Sequence, residues 1–214
     1  MSASHGVNAA PQMADRFRGF LPVVLDLETG GFNPATNAIL EVALVFVGFK
    51  GHKLVPVERW RRAVAPYPGS LCDPAALKVT GIDPKDPNRN ALCEDTALKE
   101  MFRVVRHQIK AADCQRAILV AHNASFDQQF LNLAIARNDI KRNPFHPFSA
   151  IDTASLAAVA FGHTVLSEAC ARAGIAFEAA RAHNALYDAE RTAELFCTIV
   201  NRWPAPLNLG GDED

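Results

Sequence analysis

The chain has 214 residues, of which 49% are hydrophobic, and its formal net charge at pH 7 is -1. This length and hydrophobic content suffice for one compact domain with a sizeable core. The near-zero charge excludes a uniformly basic surface, so any surface that binds nucleic acid must be a local patch.

The five cysteines are odd in number and lack C-x-x-C spacing. They are expected to be reduced thiols of a cytoplasmic protein, not zinc ligands or a disulfide framework. No stretch is long and apolar enough for a transmembrane helix, so no membrane partner is expected. We expect a disordered lead over residues 1–14, a single domain over 15–205 and a flexible acidic tail over 206–214.

Strand patterns dominate the first part of the chain. Apolar runs over 21–28 and 38–48 predict two strands. Alternating polar and apolar residues over 57–65 predict a third strand with one face open to water. The following segment is rich in Pro, Gly and Asp, which predicts a loop with one short helix near 74–79.

Helical patterns dominate the rest of the chain. A helix capped by Asp95 is predicted to run to about Ala111, and Asp152 is predicted to cap a later helix. The remaining predicted elements are strands over 117–121 and 149–151 and helices over 125–137, 153–161, 165–173 and 185–200. This order predicts an α/β domain with a mixed central sheet flanked by helices.

Two acids close the first predicted strand. Asp26 and Glu28 are two residues apart, so their side chains project from the same face, while Leu25 and Leu27 face the other way. Carboxylates this close repel each other unless protons or cations neutralise them. Hard oxygen ligands suit Mg²⁺ or Mn²⁺, and two such ions can clamp a phosphate for hydrolysis.

Three further polar residues lie at or just before the starts of two predicted helices. Asp127 and Asp188 each lie in a predicted first helical turn, where a carboxylate also has an ordinary capping role. His183 lies in the loop before Asn184, the predicted cap of the last helix. Its ordinary pKa suits a general base at neutral pH, although a surface histidine is the simpler interpretation of this residue alone.

Taken together, these motifs resemble the DEDD exonuclease superfamily, which has a ribonuclease H-like fold. They are D-x-E-T-G after the first strand, H-N-x-x-F-D after 117–121, and H-x(4)-D at the last helix. The histidine five residues before Asp188 matches the histidine subclass, because the position that holds tyrosine in the other subclass holds Asn184. DRFRGF (15–20), KRNPFHPF (141–148) and AHNALYDAERTAE (182–194) extend the resemblance to the ribonuclease T family.

The resemblance implies a 3′–5′ exoribonuclease that releases nucleoside 5′-monophosphates. It implies that four acids hold two Mg²⁺ ions per subunit and that His183 deprotonates the attacking water. It also implies the substrates, which are the 3′ ends of tRNA and of other stable RNAs such as rRNA precursors, together with single-stranded DNA. The four implied metal ligands are Asp26, Glu28, Asp127 and Asp188.

Aromatic residues beside the motifs match positions that stack terminal bases in the family, and core packing is the alternative for each. They are Phe32, Phe126 and Phe148. Two other family positions differ, because Ala75 replaces a glutamate that reads the terminal base and Val79 replaces a phenylalanine. We therefore expect weaker terminal-base preference than is typical of the family. Four other phenylalanines are expected in the core: Phe46, Phe102, Phe130 and Phe196.

The resemblance also implies a basic patch that binds the RNA backbone and serves the active site of a second subunit, so that a homodimer is the working form. An ordinary solvated surface is the alternative. The matching residues are Arg16, Arg18, Lys110, Arg116 and Lys141.

Two other functions are compatible with the motifs. The nearer alternative is an oligoribonuclease or a proofreading-type DNA exonuclease. The more distant alternative is a non-catalytic nucleic-acid-binding module, which the complete set of acids disfavours. Glu41 on the second strand stays open between a support for the metal ligands and a surface acid.

Overall fold

The computed structural model describes residues 11–203. The predicted lead (1–14) lies partly outside this range, and the predicted tail (206–214) lies entirely outside it. Met13 is 7% exposed and belongs to the hydrophobic core, two residues before the predicted start of the domain. The domain bounds therefore stay a prediction.

A five-stranded mixed sheet forms the centre of the molecule, with the strand order β3-β2-β1-β4-β5. Antiparallel pairs join β1 to β2 and β2 to β3, whereas β4 pairs in parallel with both β1 and β5. The strands are β1 (Phe20–Thr29), β2 (Ile39–Lys50), β3 (Lys53–Ala63), β4 (Arg116–Ala121) and β5 (Phe145–Asp152). The predicted mixed sheet is confirmed.

Six α-helices occur within the described residues. They are α1 (Pro74–Thr80), α2 (Glu94–Ala111), α3 (Ala124–Arg137), α4 (Thr153–Phe161), α5 (Leu166–Ala173) and α6 (Ala185–Arg202). Helix α6 packs across β1, β2 and β3, while α4 and α5 pack against α6. Within residues 11–203, no single helix is both long and apolar enough to cross a membrane, although α4 and α5 pass that test as a pair bent by 45°.

The two faces of β1 have different neighbours, as the alternation of its side chains requires. Leu27 lies beside Leu98 of α2 and Leu131 of α3 in the core. On the opposite face, the carboxylates of Asp26 and Glu28 meet Asp188 of α6. The core itself contains all four predicted phenylalanines, each at most 1% exposed: Phe46, Phe102, Phe130 and Phe196.

Some element boundaries differ from the predictions. Helix α2 begins at Glu94, so Asp95 lies inside the first turn, where it pairs with Lys99 at 2.7 Å instead of capping the helix. Strand β3 starts before Pro56 because it is an edge strand, where a missing amide hydrogen is tolerated, and its register shifts at this proline. Asp152 does cap α4, since its carboxylate accepts hydrogen bonds from the first backbone amides.

Candidate active site

One cavity of about 320 Å³ opens where β1 ends and α3 and α6 begin. The predicted acids and the predicted base all contribute to its lining, although they come from three distant parts of the chain. These residues are Asp26, Glu28, Asp127, His183 and Asp188. The sheet therefore gathers the whole predicted set into one place.

Three of the acids form a tight cluster. One carboxylate oxygen from each of Asp26, Glu28 and Asp188 lies within 4.8 Å of the others. Glu28 is only 7% exposed, so this repulsion is poorly screened by water. The cluster exists because alternation along β1 aligns the first two acids and the first turn of α6 faces the same side of the sheet.

Asp127 reaches the cavity from the first turn of α3 and is 4% exposed. Its Oδ1 accepts a hydrogen bond from the backbone N–H of Leu27 at 3.1 Å. This bond ties α3 to β1 between the two strand acids. Asp127 lies beside the three-carboxylate cluster without being part of it.

Burial raises the pKa of all four carboxyl groups, and the charges of neighbouring acids raise it further for Asp26 and Glu28. Burial raises the pKa of Glu28 to about 8, with further contributions from Asp188, Glu41 and Asp127. Burial also raises the pKa of Asp127 to about 8, against two backbone hydrogen bonds that oppose the shift. The pKa of Asp26 rises well above its ordinary range through burial and the charges of the neighbouring acids. Burial raises the pKa of Asp188 as well.

These carboxylates fit divalent cations. Oδ1 of Asp188 is buried and has no hydrogen-bond partner within the described residues, so a ligand-capable oxygen is free at the cluster. A cation would supply that partner and relieve the repulsion between the acids. All four acids offer the hard oxygen atoms that Mg²⁺ and Mn²⁺ prefer.

His183 is exposed and lies in the loop before α6. Its backbone has a φ of 62°, which is uncommon for a residue other than glycine. Its backbone N–H donates a hydrogen bond to Oδ2 of Asp188 at 2.8 Å. Asn184 caps α6 as predicted, because its side chain accepts a hydrogen bond from the backbone N–H of Tyr187. This geometry leaves the imidazole ring at the cavity.

A family model described as exonuclease, RNase T, matches residues 23–196. The chain belongs to this RNase T exonuclease family. It is 54% identical over 212 residues to ribonuclease T of Hahella chejuensis (strain KCTC 2396), and the match covers 99% of this chain and 95% of that relative. Membership of the RNase T exonuclease family makes the protein a nuclease, and therefore a hydrolase, and it implies dependence on divalent metal ions.

Solved structures share the fold of this exonuclease at low identity. E. coli exonuclease I in complex with a dT13 oligonucleotide has a TM-score of 0.66 and 18% identity, covering 87% of this chain but 42% of that one. A full-length 3′-exonuclease has a TM-score of 0.67 and 15% identity, covering 86% and 84% of the two chains. The predicted ribonuclease H-like architecture is thereby confirmed.

Two of the three predicted stacking residues of this RNase T-family exonuclease line the cavity. Phe32 is 86% exposed, and its ring lies edge-on to that of Phe126 at 6.3 Å. Phe126 in turn packs against Phe130 of the core at 4.9 Å, which fixes its position.

Phe148 does not line this cavity, although it is 80% exposed. Its ring contacts His146 at 4.5 Å, and His146 contacts Phe20 at the start of β1. The physical reason is the irregular register of β5, where Ala117 pairs with Phe145 and the next paired residue on β5 is Ala150. The residues between them, which include Phe148, have no paired residue on β4.

Helix α1 forms the apolar wall of the cavity in this exonuclease. Ala75, Ala76 and Val79 lie along it, and Thr80 closes its end. The two positions that differ from the family in the sequence therefore face the site. His122, the first residue of the H-N-x-x-F-D motif, also lines the cavity, and its ring nitrogens lie 3.0 Å from Oγ1 of Thr153 and 2.6 Å from the Thr164 carbonyl oxygen.

Glu41 lies on the strand next to the acids of the cavity. It pairs directly opposite Glu28 in the antiparallel register of β1 and β2. Its carboxylate lies 3.5 Å from Nη1 of Arg61, and its side chain is 13% exposed. Its charge contributes to the raised pKa of Glu28, so Glu41 acts on an acid of the cavity, and its functional role stays a prediction.

The predicted basic residues lie away from the cavity of this exonuclease, since none of them contributes to its lining. Arg116 begins β4 and pairs in register with Phe20 at the start of β1. The guanidinium of Arg18 lies 5.1 Å from the Phe20 ring, and that of Arg16 lies 5.3 Å from the Phe17 ring. Lys110 lies in the last turn of α2, and Lys141 pairs with Asp139.

Proposed function

We propose that the protein is a 3′–5′ exoribonuclease that trims the 3′ ends of tRNA and other stable RNA precursors, releases nucleoside 5′-monophosphates and also degrades single-stranded DNA. The observation that carries the proposal is the convergence of four carboxylates, two buried and two half-buried, and His183 on one cavity beside the exposed Phe32. The 54% identity to a ribonuclease T supports the choice of RNA substrates.

The cofactor is proposed to be two Mg²⁺ ions per subunit, with Mn²⁺ as a substitute. Asp26, Glu28, Asp127 and Asp188 would hold them. When bound, such ions would supply electrostatic stabilisation of the phosphate whose ester bond is hydrolysed.

Side chains of the protein itself accept the proton and bind the terminal bases. His183 accepts a proton from the attacking water, and histidine is the side chain that most often serves as a general base. Phe32 and Phe126 stack on the terminal bases, and stacking requires no particular base. The hydrogen bond from the backbone N–H of Leu27 holds Asp127 in place between the two strand acids. A single unpaired strand end fits this arrangement because stacking needs bases that are free of a partner strand.

Digestion of one RNA labelled at either end tests the proposed direction. With Mg²⁺, a 3′ label should appear at once as a labelled mononucleotide, whereas a 5′ label should pass through a ladder of shortening products. Asp26→Asn should abolish both patterns, and Glu168→Gln, which removes an exposed acid on α5, should retain them. Release of the 5′ label as the first product would refute the proposal.

A series of substrate lengths separates the proposal from an oligoribonuclease. Basic residues outside the cavity can bind the backbone only of substrates that are long enough to reach them. The proposal expects kcat/KM to rise with RNA length. Fastest cleavage of dinucleotides would favour the oligoribonuclease alternative.

The working form is proposed to be a cytoplasmic homodimer, in which the basic patch of one subunit serves the cavity of the other. Support comes from the location of Arg16, Arg18 and Arg116 near the start of β1, whereas the acids lie at its end. Mixing subunits tests this arrangement. The Asp26→Asn variant and the double variant Arg16→Ala, Lys110→Ala should each have weak activity on long RNA when tested alone. Mixing the two variants should restore this activity. No restoration in mixed dimers would refute action between subunits.

A further inference from the structure

The loop that carries His183 joins α5 to α6 and extends from Ile175 to Asn184. Within it, Ala179–Arg181 form one isolated 3-10 turn, and no residue of the loop belongs to the sheet. Its end adopts the uncommon left-handed backbone at His183. A base on such a segment depends on side chains that anchor the loop.

Tyr187 is the central anchor of this loop. It is 2% exposed, and its hydroxyl oxygen accepts a hydrogen bond from the backbone N–H of Glu178 in the middle of the loop. The Phe177 ring lies edge-on to the Tyr187 ring at 5.5 Å. The guanidinium of Arg181 covers the same ring at 4.4 Å. One buried side chain therefore contacts three residues of the loop.

Arg191 reinforces this anchor one helical turn later. Its Nη1 donates a hydrogen bond to the carbonyl oxygen of Ala176 at 3.0 Å, and its guanidinium lies 5.2 Å from the Tyr187 ring. Residues four apart on a helix lie on the same side, so both side chains meet the loop together. Between them, Asp188 faces the cavity and accepts the hydrogen bond from His183. The start of α6 thus fixes both the middle and the end of the loop.

We infer that Tyr187, supported by Arg191, is a positioning residue for His183. This inference rests on the proposed role of His183 as the general base. Tyr187 is buried and does not line the cavity, so it acts through the loop and not on the substrate. Without its hydroxyl group, the loop would hold His183 less often at the attacking water, and kcat would fall while binding is kept.

Tyr187→Phe tests the inference because it keeps the ring and removes only the hydroxyl group. The matched control is Tyr67→Phe, since these are the two tyrosines of the chain and the Tyr67 hydroxyl donates only to the carbonyl oxygen of Ala35 at an exposed site. Tyr187→Phe should lower kcat about tenfold and change KM by less than about twofold. The Mg²⁺ concentration at half activity should stay the same. Tyr67→Phe should match the unmodified protein.

A double-mutant cycle distinguishes positioning from a general structural role. In a His183→Ala background there is no base to position, so Tyr187→Phe should cause no further loss. An equal loss with and without His183 would overturn the inference. Full activity of His183→Ala itself would overturn the proposed base, and the inference with it.

Amide hydrogen exchange provides a readout that does not depend on activity. The backbone amide of Glu178 should exchange faster in Tyr187→Phe, while amides in the middle of α6 keep their protection. Unchanged exchange at Glu178 would overturn the anchoring role, whatever the kinetics of the variant.

Discussion

Removal of divalent cations should make the stability of this protein fall as the pH rises. Burial and neighbouring acids raise the pKa of Glu28 to about 8 from its ordinary value of 4.5. The folded protein therefore binds this proton more tightly than the unfolded chain does. The contribution of this protonated group to the free energy of unfolding is complete below pH 4.5 and is lost as the pH rises through about 8.

The size of this effect follows from the two pKa values. One pH unit corresponds to about 1.4 kcal/mol, so Glu28 accounts for at most about 5 kcal/mol of the free energy of unfolding between pH 4.5 and 8. For a chain of 150–250 residues, about 1 kcal/mol shifts Tm by roughly 2–4 °C. The predicted fall in Tm is thus up to about 10–20 °C. Mg²⁺ at 100 times its Kd should restore about 2.7 kcal/mol.

Thermal unfolding with EDTA and with Mg²⁺, each from pH 5 to 8.5, measures both effects. Glu28→Gln should raise Tm at pH 8 in EDTA, flatten its pH dependence and weaken stabilisation by Mg²⁺. Glu168→Gln is the control, because this acid is exposed on α5 and should leave all three properties unchanged. A Tm in EDTA that is independent of pH, or equal stabilisation of Glu28→Gln by Mg²⁺, would refute the reasoning.

Three further predictions concern single side chains. Phe32→Ala should raise KM for a single-stranded 3′ end by about 5- to 150-fold, since a stacked base contributes about 1–3 kcal/mol, and unchanged KM would argue against stacking. Matched oligomers ending in A, C, G or U should be cleaved at similar rates, because Ala75 and Val79 offer no hydrogen bond to a base edge; a strong bias against one base would contradict this. Phe130→Ala should lower the free energy of unfolding by about 3–5 kcal/mol in a denaturant titration, since its ring is 1% exposed in the core.

The acids of the site were predictable because their positions follow from local rules. Alternation along a strand aligns Asp26 with Glu28, and the first turn of a helix accounts for Asp127 and Asp188. Each rule needs only the neighbouring residues. The folded chain then brings all four acids to the lining of one cavity.

Other features depended on contacts between distant residues and could not be predicted. The location of Glu41 opposite Glu28 follows from the strand register, and a sequence does not show register. The location of Phe148 follows from the irregular pairing of β5. His122 is bound by Thr164 from a different loop, and this contact was visible only in the folded chain.

Helix α6 supplies both Asp188 and the support for His183, and it is the last helix of the described chain. During synthesis, the strands and the other carboxylates leave the ribosome well before this helix does. A nascent chain without this helix would therefore lack one of the four acids and the support for His183. An enzyme with the proposed activity would stay latent beside the ribosomal RNA and tRNA that make it, and would become active only once α6 has been translated.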